Sequence, residues 1–478
     1  MRTAVSLIAA ALVGGAFFGP TPPAPAAPSG DRPYAVGPLP GETRGGLSCA
    51  AASCHGGGRP GERFSEHSTW AADLTRNPPV PHDPHANAYR VLFNADSVRI
   101  AGLVGGGPAH TNDRCLACHT APNATDGAVA EGVGCAGCHG PEEKWLTRHY
   151  LPEWKALSNR DKAAFGFVPT KNLVARTSTC AGCHVGDATR DVDHDLIAAG
   201  HPRLNFEYAR FDHSEAYRKH WADPAADRDF EVKEWAIGQL TSLRAALDLL
   251  TARATAADAK LVGQSWPEFS EGSCYACHQT VGRDLYPTRE IPGGLTRRGS
   301  LVPWQPWYTA LVDDAALFAA LFPGSARPDL TELRTEMEKR SPDPAKVKGI
   351  AARAVVGLAA TLAAIQAAED RGSFPAVSPS RLAGLLAAGA LTDDGRLRDD
   401  DWDAVAQRYL GLAMTYHAAG GDGPATVGWR KPLLDLRAAL AFPTAAGGRI
   451  DSPRSYHARD AVRPLTDLRT LTTPRTGR

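Results

Sequence analysis

Cys115-Leu116-Ala117-Cys118-His119 is one of five segments in this chain in which a pair of cysteines is followed at once by a histidine. Three others keep the same spacing, and the first in the chain has four residues between its cysteines. These four segments are Cys135-Ala136-Gly137-Cys138-His139, Cys180-Ala181-Gly182-Cys183-His184, Cys274-Tyr275-Ala276-Cys277-His278 and Cys49-Ala50-Ala51-Ala52-Ser53-Cys54-His55. The five segments together use all 10 cysteines of the 478-residue chain.

The pattern C-x-x-C-H is the attachment signature of a c-type haem. Two thiols bond the two vinyl groups of one porphyrin edge, and the adjacent histidine offers its imidazole to the iron as the proximal ligand. The wider first pair is a rarer variant of the same device. We therefore expect five covalently attached haem c groups, with proximal ligands His55, His119, His139, His184 and His278.

Two other uses of paired cysteines need to be weighed. Zinc sites usually combine two pairs, so five pairs would leave one over, and zinc gives no reason for a histidine after every pair. Disulfides within C-x-x-C are redox-active dithiols, and five in one chain would be unusual. Histidine makes up 16 of the 478 residues, so five such coincidences have a probability on the order of one in ten million. The pattern favours haem.

The second axial ligand of each iron is expected to be histidine. Methionine is the usual alternative, but the chain has three, of which Met1 belongs to the leader and Met337 and Met414 lie beyond the last cysteine pair. Of the eleven histidines that are not proximal, nine are interleaved with the cysteine pairs. These are His67, His82, His85, His110, His149, His194, His201, His213 and His220. We interpret this group as a pool of distal ligands.

Four further stretches resemble the multihaem cytochrome c-554 family, which is related to octahaem hydroxylamine oxidoreductases. They are Asp83-Pro84-His85-Ala86-Asn87-Ala88-Tyr89, the segment from Gly132 to Pro141, His149-Tyr150, and the segment from His194 to Leu204. The resemblance covers about residues 45–280. It implies that His85, His149 and His201 are distal ligands, with His194 and His67 as further candidates. The chain departs from the family in having five cysteine pairs where the namesake has four, and in its extra residues from Asp73 to His82.

Charge and hydropathy indicate an exported chain. An apolar run from Ala4 to Phe18 follows Arg2, and Ala24-Pro25-Ala26 fits a cleavage site, so we interpret residues 1–27 as a signal peptide. An uncleaved anchor is the alternative. Lys+Arg and Asp+Glu both number 52, which does not favour nucleic acid as a partner. The apolar stretch from Ala354 to Ile365 is bounded by charge, so no membrane-spanning helix is expected in the mature chain.

Helical periodicity predicts a mainly α fold. Residues 45–286 are expected to form a multihaem cytochrome c domain with few regular elements and stacked haems. Within it, Asp229–Val262 is predicted to be a long helix with one packing stripe, made up of Trp235, Ile237, Leu240, Leu243, Leu247 and Leu250. Residues 300–445 are predicted to be all α, and residues 446–478 to be a loose tail. Trp304, Trp307 and Tyr308 are interpreted as packing at the junction of the two regions, in preference to shielding a haem edge.

Two main functions are consistent with these features. The first is electron transfer between periplasmic redox partners through bis-histidine haems. The alternative is an oxidoreductase that acts on a small nitrogen or sulfur compound at one five-coordinate haem, for which His110, His213 and His220 are the spare titratable candidates. A third interpretation, compatible with the first, makes the C-terminal helices a docking module for a larger redox complex.

Overall fold

α-Helices make up nearly all of the regular structure in the computed structural model, as the periodicity predicted. It describes residues 40–57, 64–71, 83–212, 220–221, 228–261, 265–278, 290–291, 295–296, 302–373, 377–441 and 456–473. The α-helices are Glu66–Trp70, Ala95–Val104, Asp113–His119, Asp126–Val129, Cys135–His139, Pro152–Ala156, Asn159–Ala163, Leu173–His184, His194–Ala198, Tyr208–Asp212, Arg228–Asp258, Cys274–Cys277, Pro306–Asp313, Ala315–Leu321, Thr331–Met337, Pro344–Asp370, Pro379–Ala390, Trp402–Ala418, Arg430–Leu440 and Ala458–Thr472. Short 3-10 helices span Gly46–Cys49, Pro84–Asn87, Arg90–Phe93, Ala109–Thr111, Glu142–Lys144, Phe269–Glu271 and Pro424–Thr426. Glu290–Ile291 and Leu295–Thr296 form a small antiparallel strand pair. The predicted signal peptide lies outside the described residues.

The long helix Arg228–Asp258 confirms the helix predicted from the apolar stripe. The six stripe residues are buried in the core, and the helix packs against Pro344–Asp370 and Leu173–His184. It ends four residues before the predicted end. There, Lys260 has a left-handed backbone with a φ of 54°, and the N–H of Leu261 donates to the carbonyl of Ala256. This closing bond is the kind that ends helices.

Start signals in the sequence set where the C-terminal helices begin. Pro344 and Pro379 occupy first helical positions, where a missing N–H costs nothing. The side chains of Asp343 and Ser378, which precede them, accept hydrogen bonds from backbone N–H groups of the first turn, and Asp401 does the same for Trp402–Ala418. The predicted all-α character of this region is confirmed.

The expectation of a loose C-terminal tail is wrong for residues 458–472. This segment is a helix in which Ala461, Leu465 and Leu468 are fully buried. These residues recur at the spacing of one helical face. The high arginine content of the tail obscured that stripe, because the arginines lie between the apolar positions.

One hydrophobic core runs across the expected boundary between the two regions. It includes residues from Leu173 to Leu468. At the junction, the indole of Trp307 donates to the carbonyl of Phe206 at 2.9 Å, and the hydroxyl of Tyr308 donates to the carbonyl of Leu204. These aromatic residues therefore pack the junction, as interpreted, and the C-terminal helices are built into the same core as the long helix.

One helix in the described part of the chain, Pro344–Asp370, is long and apolar enough to span a membrane. Val347, Leu358 and Leu362 on one of its faces are buried, and the helix packs along Arg228–Asp258. A core helix of a folded domain meets the same criterion of length and composition.

Candidate functional site

Four of the five cysteine pairs lie in short helices or at helix ends. A helix places residues i, i+3 and i+4 on one face, so the two sulfurs and the following imidazole of C-x-x-C-H point to the same side. Asp113–His119, Cys135–His139 and Leu173–His184 end at the histidine, and Cys274–Cys277 ends one residue before it.

The wider first pair keeps one backbone feature of the shorter ones. In the last motif, the N–H of His278 donates to the carbonyl of Cys274 at 2.7 Å, and in the first motif the N–H of His55 donates to that of Cys49 at 3.3 Å. The two extra residues are accommodated in a turn closed by a bond from the Cys54 N–H to the Ala51 carbonyl. The backbone of His55 therefore lies next to that of Cys49 in spite of the longer spacing.

Four of the five motif histidines each face a second imidazole at nearly the same distance. An imidazole on either side of one metal ion, with metal–nitrogen distances of about 2 Å, puts the ring centres about 6 Å apart. The ring centroids lie 6.2 Å apart for His55 and His149, 5.9 Å for His184 and His85, 6.0 Å for His139 and His220, and 6.3 Å for His278 and His194.

The remaining motif histidine, His119, interacts electrostatically with His201. Burial lowers the pKa of His201, the hydrogen bond to the Pro202 carbonyl opposes this shift, and the positive charge of a protonated His119 lowers the pKa further. The structure thus places a second imidazole 5.9–6.3 Å from four of the motif histidines and brings His201 within electrostatic range of His119. The residues present fit four metal centres that each hold two imidazoles, and His201 is the candidate partner of His119.

Hydrogen bonds orient several of these rings. Carbonyl oxygens can only accept, so a ring whose Nδ1 bonds a carbonyl carries its proton there and leaves Nε2 available to a metal. Nδ1 of His119 donates to the carbonyl of Ala88 at 2.6 Å. In the same way, Nδ1 of His149 donates to the carbonyl of Leu146 at 2.7 Å, and Nδ1 of His201 donates to the carbonyl of Pro202 at 2.8 Å. Nδ1 of His85 lies 2.9 Å from Asp83 Oδ1, and Nδ1 of His55 lies 3.1 Å from Glu66 Oε2.

Burial keeps the most enclosed of these imidazoles neutral. It lowers the pKa of His139 to about 3, with smaller contributions from His220, His55 and His149. It also lowers the pKa of His184 to about 4, helped by His85. A metal ligand must be deprotonated, so these environments suit ligation.

Contacts between the motifs show which of them are neighbours. The thiol of Cys49 interacts with that of Cys135, and the thiol of Cys118 with that of Cys183. The charge of Cys183 also raises the pKa of the Cys138 thiol, after burial and the carboxylate of Asp83. The first four motifs therefore form a spatial series in the order first, third, fourth, second. All ten cysteines are described, and none forms a disulfide.

The fifth motif is bonded to the C-terminal region. The hydroxyl of Ser273, which precedes Cys274, donates to Asp401 at 2.5 Å, and that of Tyr275 donates to the carbonyl of Tyr456 at 3.3 Å. Nη1 of Arg203 donates to both carboxylate oxygens of Asp403 at 2.9 Å. Asp401 and Asp403 lie at the start of the helix Trp402–Ala418.

Among the distal candidates from the sequence, His85, His149, His201 and His194 each lie beside a motif histidine, whereas His67 packs on Trp70 at a centroid distance of 5.7 Å. The ring beside His139 is that of His220, which sequence reasoning had placed among the spare histidines. No local signal distinguished His220 from His110, which stacks on Phe93 at 4.4 Å. His82 and His213 lie outside the described residues.

Residues 81–140 match the family model described as cytochrome c554 and c-prime. The matched span contains His85 and the second and third cysteine pairs. This similarity supports a c-type cytochrome, for which covalently bound haem c is the cofactor. No curated protein and no solved structure matches the chain.

Proposed function

We propose that this chain is an exported pentahaem c-type cytochrome that transfers electrons between periplasmic redox partners through mostly bis-histidine haems. The observation that carries the proposal is the second imidazole 5.9–6.3 Å from four of the five motif histidines, with His201 in electrostatic contact with His119. An iron with both axial positions filled by protein has no open position for a substrate, and this arrangement suits electron transfer.

In this proposal, bound haem c supplies a one-electron couple at each site, and the protein sets its potential through ligands, burial and hydrogen bonds. The ten motif cysteines form the thioether bonds. The proximal ligands are His55, His119, His139, His184 and His278, and the distal ligands are His149, His201, His220, His85 and His194 in the same order. His67 has no part in ligation.

The neighbour relations between the motifs support a continuous route. The side chains of Cys49 and Cys135 interact, as do those of Cys118 and Cys183, so these sites are nearer to one another than their separation in sequence suggests. An ion pair of 2.6 Å between Arg114 and Asp193 connects the second motif to the residue before His194, a ligand of the fifth site in this proposal. Electrons would therefore pass along the order first, third, fourth, second and fifth.

The alternative is an oxidoreductase acting at one five-coordinate haem. It requires a motif histidine without a second imidazole beside it, and the five pairs argue against it. The proposed docking of the C-terminal helices to a larger redox complex is restricted to their outer surface, because their inner faces belong to the shared core.

Spectroscopy of the purified full-length protein tests the proposal. We expect intact mass to show five haem additions, and electron paramagnetic resonance to show low-spin iron only, unchanged by added cyanide or nitric oxide. A colourless protein would overturn the assignment of haem. A high-spin share of about one fifth that binds the added ligand would favour the oxidoreductase.

A further inference from the structure

Two buried carboxylates lie directly behind the fifth cysteine pair. Asp401 is 1% exposed and Asp403 is 2% exposed. Asp401 accepts the hydrogen bond of Ser273, the residue before Cys274, and Asp403 accepts both bonds from Arg203. The hydroxyl of Ser273 also accepts the N–H of Ala276 and so caps the helix that carries the cysteines. This path joins Asp401 to the fifth motif through one side chain.

The charges around Asp401 are unbalanced. Among the described residues, Arg203 is the cation of this cluster, and it is bonded to Asp403. Asp401 is hydrogen-bonded to a hydroxyl and to the backbone N–H of Asp403, and none of these partners is a cation. Among the described residues, the titratable groups that interact with Asp401 include Asp399 from its own loop, Asp403 from the helix that follows, Tyr456 two residues before the last helix, and the Cys274 thiol.

Burial is the main reason that the pKa of Asp401 is raised to about 7. The negative charges of Asp403 and Asp399 raise it further, while the bonds from Ser273 and from the Asp403 N–H lower it. Near neutral pH this carboxyl therefore exists in both protonation states. A neutral Asp401 would leave the cluster with one carboxylate and one guanidinium, which balance.

We propose that Asp401 is a proton-binding site whose occupancy is coupled to the electron held at the fifth cysteine pair. The proposal rests on the proposed function, since it requires haem c at Cys274 and Cys277. The carboxylates of Asp401 and Asp403 both interact electrostatically with the Cys274 sulfur. A change of charge at the fifth site therefore changes the proton affinity of Asp401, and protonation of Asp401 changes the electron affinity of that site. When an electron arrives from a redox partner, the carboxylate of Asp401 takes one proton from solvent. When the electron leaves, that proton is released.

The direction of the coupling follows from charge. An added electron makes the fifth site more negative, which raises the proton affinity of Asp401. Reduction is then favoured at low pH, and the midpoint potential of this site falls as the pH rises between the pKa values of the oxidised and reduced states. At full coupling the ratio of reduced to oxidised site changes tenfold per pH unit, which is 59 mV for a one-electron couple.

Redox titration of the full-length protein between about pH 5 and about pH 9 tests this coupling. One component of the wild-type titration is expected to show the pH dependence, and Asp401→Asn is expected to abolish it and to hold that component at its low-pH potential. Asp394→Asn is the matched control, because Asp394 is 57% exposed in the loop before the same helix. It should leave the dependence unchanged.

A second variant keeps the test decisive if Asp401→Asn does not fold. Asp399 is exposed, and its negative charge raises the pKa of Asp401. Asp399→Asn should therefore move the pH-dependent range to lower pH, and proton uptake on reduction near neutral pH should decrease.

A wild-type protein with no pH-dependent component, or an Asp401→Asn protein that retains one, would overturn the inference and leave the proposed function standing. Mass analysis of the peptide containing Cys274 and Cys277 tests the other possibility. A peptide without haem would overturn the proposed function together with the inference.

Discussion

Replacing His220 with alanine is the sharpest test of how the structure pairs the histidines. The ring of His220 lies 6.0 Å from that of His139, and His67 is the candidate that sequence reasoning preferred in its place. If His220 is the distal ligand of the third site, His220→Ala opens one axial position and leaves the others filled. One of five irons, or about 20% of the total, should become high-spin.

Quantitative electron paramagnetic resonance measures that share directly, and cyanide binding gives an independent count. We expect His220→Ala to bind about one cyanide per chain, where the wild-type protein binds none. Added free imidazole should fill the open position and return the spectrum to low spin. This rescue separates a lost ligand from a disturbed fold.

His67→Ala is the matched control. The ring of His67 packs on Trp70, so its loss should leave all five irons low-spin. The reasoning is refuted if His67→Ala produces the high-spin signal and His220→Ala does not. The distal ligand of the third site would then be His67, as the sequence resemblance suggested.

Three further changes test the rest of the structure. Leu465→Ala should lower the free energy of unfolding by about 2–5 kcal/mol in denaturant titrations, because Leu465 is fully buried. Leu471→Ala, at a position that is 43% exposed, should have little effect, and equal losses in the two variants would contradict the packing of the last helix. Arg203→Met leaves Asp403 buried without its partner, so the free energy of unfolding should fall by about 3–5 kcal/mol. Adding Asp403→Asn to this variant should recover part of that loss. If the single variant loses no stability, the ion pair contributes nothing. Two lysines, Lys339 and Lys346, hold the pKa of Glu336 at about 2, below its ordinary value of 4.5. This carboxylate therefore stabilises the fold above pH 4.5 and loses that effect as the pH falls towards 2. The difference in the free energy of unfolding between wild type and Glu336→Gln should shrink over this range, and a constant difference would contradict the ion pairs.

The placement of each cysteine pair relative to the histidine that follows it could be predicted from sequence because it is local. Spacing in a helix fixes how Cys135, Cys138 and His139 stand relative to one another, whatever the rest of the chain does. The same holds for helix starts, where Pro344 and Asp343 act within one turn of each other. Such features depend on a few consecutive residues and on backbone geometry that any sequence must obey.

The distal positions depend on contacts between remote segments. His85 lies beside His184, and His55 beside His149, across about a hundred residues in each case. Nothing near His220 in the sequence distinguishes it from the other spare histidines. Family resemblance nominated His67, and the extra residues from Asp73 to His82 weakened that assignment. Only the fold brings His220 to His139.

The C-terminal helices gain a physical role from the same long-range contacts. In the proposed assignment, the ligands of four sites come from residues 40–212 together with His220, and the cysteine side chains of these motifs interact in the pairs Cys49–Cys135 and Cys118–Cys183. The fifth motif, in contrast, is anchored by Asp401 and Tyr456 from beyond residue 300, and Arg253 of the long helix donates to Glu271 just before it at 2.6 Å. Because those anchors are buried in the shared core, loosening the C-terminal helices should disturb the fifth site before the other four. We therefore infer that the C-terminal helices hold the geometry of the fifth site.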